Sequence, residues 1–211
     1  MRADAQRNRD RLLDAAIGLI LQVGAEPPLD AIARRAEVGI GTLYRHFPDR
    51  EQLLGAVAEH VLVRAIDAAE AALESDDPVR SYLHAAVEHG VGVLNLLHPV
   101  LDGPDWSEPR DRIAPLLERI MEHGRASGRL RPEVRTIDLV AGVIRFSRPL
   151  AIGLSAEDDR ALARRHLDVH LDGLAAAGPD LQPLPEPAVL NRWPAGQRDG
   201  IGPSGDLGGH F

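Results

Sequence analysis

Between Val38 and Leu54 the chain reads VGIGTLYRHFPDREQLL, and within it Thr42, Tyr44, Arg45 and His46 are almost consecutive. A hydroxyl, a phenol and an imidazole can hydrogen-bond phosphate oxygens, while a guanidinium can fork onto a guanine edge. Gly41, just ahead of them, lets the backbone approach a partner closely. On a helix the four polar side chains fan around most of the surface, and Leu43 and Phe47, four apart, supply one apolar anchor. A helix this brief is not stable alone, so its polar face serves something other than burial. The residue types point to entry into a DNA groove.

The surrounding chain must hold that short helix. Spacing predicts a first helix over Asn8–Val23, with Leu12, Leu13, Ala16, Ile17, Ile20 and Leu21 as its buried stripe and Gly24 at its end. Pro28 fits the first turn of a second helix whose inner face is Leu29, Ile32, Ala33 and Ala36, with Arg34 and Arg35 as a solvated outer face. Gly39 supplies a tight turn and the third helix runs to Phe47, where Pro48 stops it. Asp49 and Gln52 make a capping-box-like start to a long fourth helix, striped from Leu53 to Leu73 for about six turns. Helix five opens at Asp77-Pro78, and its stripe reads on through Val91 and Leu94. Gly90 and Gly92 thin that helix so that a neighbour or a ligand can come close. His98–Glu108 is irregular. Pro115 is expected to kink or split the next helix. Thr136 is expected to cap an eighth helix, and Ser155 with Asp158 a last one. Beyond Pro179 the text is rich in Pro and Gly without periodicity and reads as a disordered tail.

Composition narrows the function. With apolar residues at 44% and aromatics at 3%, the 211-residue chain suits Ala/Leu/Val helices and argues against a β-sandwich. It has no cysteine, which excludes disulfides, thiolate chemistry and Cys-type zinc sites. The first 20 residues lack a signal-peptide layout, and no apolar run approaches the ~20 residues of a membrane span, so a cytoplasmic location is expected. Net charge is −8, yet residues 1–60 hold 8 Arg against 9 acids. Arg2, Arg7, Arg9 and Arg11 cluster near the start, and Arg34, Arg35, Arg45 and Arg50 around the short helix. Phosphate contact needs local positive charge rather than a basic chain. The Arg-rich start reads either as an arm tracking the DNA or as a solvated terminus.

Catalytic and metal chemistry compete weakly. His166 and His170 share a helical face, as do His84 and Glu88, but neither pair shows a third ligand in sequence. No HExxH, GxSxG or phosphate loop is present. The chain is therefore not expected to be an enzyme, and neither a cofactor nor a metal is expected. A metal-responsive sensor and a helical protein-interaction module remain the rival readings.

RNRDRLLDAA, followed by LDAIARRAEVGIGTLYRHFPDREQLL, resembles the DNA-binding domain of the TetR family of bacterial transcriptional regulators, over about residues 6–55. The resemblance implies an all-α protein of about nine helices. Residues 1–50 would form a helix-turn-helix DNA-binding domain, 51–178 an effector-binding and dimerisation domain, and 179–211 the tail. It implies that Leu29, Ile40, Gly41, Thr42, Tyr44, Arg45, His46 and Arg50 meet double-stranded DNA, with helix three in the major groove. Ile40 can touch a thymine methyl; Tyr44 can serve contact, packing against helix one, or both; His46 has burial as its rival role. The family usually has Thr or Ser where this chain has Pro27-Pro28, and Gly and Ser where it has Glu37 and Gly39. Glu37 would repel a phosphate and is expected to point away. The resemblance further implies a palindromic operator and a homodimer through the last two helices, with Val143, Leu167, Leu171 and Leu174 either at the interface or in a monomer core, which would read alike. It also implies a small-molecule effector near Tyr82, His89, Val93, Leu97, Trp106, Leu117, Met121 and Phe146. The expected function is a ligand-released transcriptional repressor.

Overall fold

The computed structural model describes residues 2–97, 107–150, 152–175 and 181–183. Among the described residues every regular element is an α-helix, in the order α1 (Arg2–Val23), α2 (Leu29–Arg35), α3 (Ile40–His46), α4 (Arg50–Leu73), α5 (Pro78–Glu88), α6 (Val93–Leu97), α7 (Ser107–Ala126), α8 (Thr136–Phe146) and α9 (Ala156–Ala175). All nine lie within one compact unit, Met1–Pro179. Of the second, Asp180–Phe211, only 181–183 are described, without regular structure, so the expected tail lies otherwise outside the described residues.

The helix starts follow capping chemistry. Asp49 accepts from the Gln52 backbone N–H at 2.8 Å, and the Gln52 side chain reaches back to the same carboxylate at 2.7 Å. Asp77 accepts from Arg80 N at 3.2 Å with Pro78 at the first helical position. Ser155 accepts from Asp158 N at 3.1 Å. Each side chain satisfies a donor that the first turn leaves without an intrahelical partner. α2 begins instead at Leu29, behind an extended Pro28 with no side-chain cap.

Four expectations are corrected. α8 starts at Thr136 behind an extended Arg135, so Thr136 is its first helical residue rather than its cap. α1 begins at Arg2, not Asn8, so Arg7, Arg9 and Arg11 project from a helix and the N-terminal arm is absent. Helix five does not run on to Leu94. It ends at Glu88 because Gly90 turns left-handed at φ 71°, and α6 starts afresh. A Cβ on Gly90 would lie 2.6 Å from Ile17 Cγ2, and one on Gly92 2.6 Å from Ser147 Cβ, so both glycines admit neighbouring helices rather than a ligand. Pro115 does not split α7, which is continuous through it. Its ring sits on an exposed face, where water can serve the carbonyl that loses its helical partner.

Buried side chains fall into two clusters. The first joins Leu12–Leu21 of α1, Ile32, Ala33 and Ala36, Leu43, Phe47 and the Leu53–Val61 part of α4, and it also takes in Val93 and Leu97 of α6. The second joins Ala68–Ala72 of α4 to inner faces of α5, α7, α8 and α9. α4 therefore contributes one half to each. Burying a Leu or Ile outright is worth roughly 1.5–3 kcal/mol, which is why a seven-residue α3 is held at all.

Candidate nucleic-acid interface and ligand cavity

α3 is fixed from behind and open in front. Leu43 is 0% and Phe47 3% exposed, inserted in the first cluster as their spacing requires. Arg9 lies over the Phe47 ring at 5.6 Å, adding a cation–π contact from α1. Tyr44 stands 50% exposed and Ile40 43%, which resolves Tyr44 toward an outward-facing role. Four residues apart, the two side chains lie next to each other on the open face of α3. Gly41 is exposed with nothing within 4 Å of a Cβ built there. Arg45 is exposed, its Nε donating to the Gly41 carbonyl at 3.2 Å, so the guanidinium lies back along the helix toward Ile40. Thr42 and His46 are half-buried, the His46 ring 6.2 Å from that of Phe47. The structure thus gathers Ile40, Gly41, Thr42, Tyr44, Arg45 and His46 on one short helix with a largely exposed surface.

Leu29 and Arg50 lie apart from them. Leu29 is half-buried against the first cluster at the start of α2. Arg50 is half-buried, and its Nη1 donates to the Pro27 carbonyl at 2.8 Å, which ties the α1–α2 loop to the start of α4. That brace was not legible from the motif.

Several charged groups around α3 are hydrogen-bonded within the chain, two of the arginines to carboxylates. Arg34 pairs with Asp30, whose carboxyl is held below its ordinary range chiefly by that hydrogen bond. Arg35 donates to Gln22 at 3.1 Å. Glu37 is exposed but bonded to Arg11 of α1, a residue the motif alone does not single out. Nothing in the local sequence signals a contact 26 positions away.

The expected effector residues are divided by the fold. Tyr82, Leu117 and Met121 line a small cavity together with Val91, Ile120, Thr136, Leu139, Val140 and Val143, with about 30 Å³ of free space. The scale is that of a water molecule, and the walls are almost wholly apolar. Burial pushes the Tyr82 phenol up to about 12, so it stays neutral. Val93 and Leu97 belong to the other cluster, buried where α6 packs on α1 and α4. His89 caps α5 at its C-terminus, and Phe146 packs on the His170 ring at 5.5 Å. Neither lines the cavity, and Trp106 lies outside the described residues. Val143, Leu167, Leu171 and Leu174 are buried within the second cluster of the single chain, between 0% and 7% exposed, so they are core rather than a free face for a partner.

The histidines are engaged singly. His84 Nε2 is 2.8 Å from Asp168, and that contact, followed by Arg80, holds the Asp168 carboxyl low. His170 Nε2 is buried without a hydrogen-bond partner, and burial pushes its pKa down. No group of three or more His, Cys, Asp or Glu that could hold a metal occurs among the described residues.

A helix-turn-helix backed by α1, followed by a long helix into a separate helical cluster, defines a two-part DNA-binding regulator. Residues 12–57 match the model of the bacterial regulatory proteins of the tetR family. The chain is 30% identical over 178 residues to the HTH-type transcriptional repressor KstR of Mycolicibacterium smegmatis, covering 82% of this chain and 78% of that one. It is 38% identical over 96 residues to the repressor LfrR of the same organism, a stretch covering 46% of this chain and only 48% of LfrR. A TetR transcriptional regulator of Streptomyces coelicolor, SCO0520, superposes with a TM-score of 0.53 at 31% identity, covering 79% of this chain and 97% of that one. The chain belongs to the TetR family of bacterial transcriptional regulators. It is a DNA-binding regulator and not an enzyme.

Proposed function

We propose that the chain is a repressor that binds a palindromic operator as a homodimer and is released by a small-molecule effector. The exposed face of α3 carries this reading: an outward Tyr44 and Arg45 on a helix whose other side is locked by Leu43 and Phe47. Ile40, Gly41, Thr42, Tyr44, Arg45 and His46 meet the major groove and its rims, Leu29 and Arg50 the backbone, with residues 1–50 as the reading head and 51–178 as the body. The repressor sense draws support from the names of KstR and LfrR. The dimer reading draws on Val169 of α9, 63% exposed, and on Leu150 and Ile152 in the α8–α9 loop, 47% and 68% exposed. With the core leucines turned inward, these and the 39% exposed Leu154 are the large exposed apolar groups among the described residues of α8, α9 and their loop that are left for a partner.

For the effector, the cavity walls favour an uncharged, mainly apolar molecule, because a charge entering there would lose its hydration without a partner. Its small volume means that a ligand must move side chains, and unbranched Met121 is the adaptable one. Such a ligand acts by binding the DNA-free arrangement better than the DNA-bound one.

The test is selection of bound duplexes from random DNA, followed by Tyr44→Ala and Arg45→Ala. Both side chains are exposed, so melting temperatures should stay within a few degrees. Specific binding should fall by about 5- to 150-fold for loss of one good base contact. Wild-type affinity retained in both variants overturns the assignment of α3.

A further inference from the structure

α2 ends in a pair of bonds that dictate the backbone of the next residue. Glu37 N–H donates to Arg34 O at 3.0 Å and Val38 N–H to Ala33 O at 3.0 Å, which places Glu37 left-handed at φ 54°. An L side chain there crowds its own carbonyl, so glycine is the usual occupant. α5 ends by the same pair, from Gly90 to Val87 and from Val91 to Ala86 at 3.1 and 2.9 Å, and there the left-handed residue is glycine. Among the described residues Glu37 is the one non-glycine with positive φ.

What the glutamate gains is Arg11. Its carboxylate accepts from that guanidinium across 26 positions, linking the α2–α3 turn to α1. The two side chains are 81% and 47% exposed, and pairs so wet add little to stability. Fold stability therefore does not account for a strained, acidic residue in this turn. Its place in the DNA-binding head does. Glu37 precedes Ile40 by three residues, so their Cα atoms are at most about 11 Å apart. That is comparable to the screening length of about 10 Å at 0.1 M salt, so at low ionic strength an unpaired carboxylate there would repel the phosphates bordering α3.

We propose that Arg11 is a positioning residue for DNA binding. It offsets part of the Glu37 charge beside the recognition helix, and the remainder holds the head's affinity below the level reached with glycine in the turn. The inference rests on α3 being the element that enters the groove.

Five proteins test it: wild type, Arg11→Ala, Glu37→Gly, Glu37→Gln and the Arg11→Ala/Glu37→Gly double variant. Each is titrated by fluorescence anisotropy, over a salt series, with a duplex selected from a random pool and with an unrelated duplex of equal length. Melting is followed by circular dichroism. Arg11→Ala should weaken both duplexes by about fivefold at low salt, and Glu37→Gly should tighten both by a similar factor. Glu37→Gln should tighten binding like glycine without glycine's rise in melting temperature, which separates charge from strain. In the Glu37→Gly background, loss of Arg11 should change affinity by less than about twofold and leave the salt slope unaltered. Equal weakening in both backgrounds, with the slope reduced by about 0.9, would make Arg11 a direct phosphate ligand and overturn the proposal. So would weaker binding by Glu37→Gly. Wild-type protein that binds neither duplex overturns the groove reading and this inference together; wild-type binding without the predicted coupling overturns this inference alone.

Discussion

Arg50→Ala separates two roles that the same guanidinium can fill. Arg50 Nη1 donates to the carbonyl of buried Pro27 at 2.8 Å, and the bond fastens the loop entering α2 to the first turn of α4. A hydrogen bond to a charged group contributes about 1.5–3 kcal/mol. For a chain of this size each kcal/mol corresponds to about 2–4 °C, so the alanine variant should melt roughly 3–12 °C lower. If the remaining N–H groups also reach a phosphate, affinity should fall alike for selected and unrelated duplexes, with the salt slope reduced by about 0.9. Calorimetric melting and a salt series of anisotropy titrations read the two effects separately. Arg50→Lys keeps the charge and loses the planar fork, so it should recover much of the salt slope and less of the melting temperature. A melting temperature unchanged in Arg50→Ala would refute the brace.

Two further outcomes follow from burial. Leu43→Ala, at a position 0% exposed, should cost about 2–5 kcal/mol in urea unfolding, the range for buried leucines. Near-neutral behaviour would mean that α3 is not anchored through its apolar face. His60 and His170 are both shifted downward, chiefly by burial, so the fold prefers them neutral. The unfolded chain then takes up protons first, and these two groups' contribution to stability is intact above about pH 6.5 and declines as pH falls below it. Urea midpoints at pH 7.5 and 5.5 should differ less in a His60→Asn/His170→Asn variant than in wild type, and an equal difference would contradict the sign.

Local chemistry was legible in the sequence; long-range packing was not. Asp49 with Gln52 and Ser155 with Asp158 announced their helices because capping acts over three residues. Leu43 and Phe47 announced the anchored side of α3 because four-residue spacing is a property of the helix itself. The break after Glu88 was hidden, since Val91 and Leu94 preserve the apolar period across it, and what ends α5 is a left-handed Gly90 pressed against Ile17. Val93 and Leu97 read as ligand walls but sit in the first cluster, where α6 lies against α1 and α4, because apolar side chains carry no address beyond their own helix. In sequence Arg11 reads as part of an arm or a solvated terminus, and Glu37 as an acid that would repel phosphate. Only tertiary folding makes them partners.

The presence of α6 in the first cluster has a mechanical consequence. The head is seated on the rest of the chain at two bearings, the Leu53–Val61 stretch of α4 and the Val93–Leu97 turn of α6. A segment cut after α4 would open the seat that Val93 and Leu97 fill, two fully buried side chains. In the intact protein, a body helix cannot swing the head as a rod swings a weight. It must carry α6 with it or shear a packed contact.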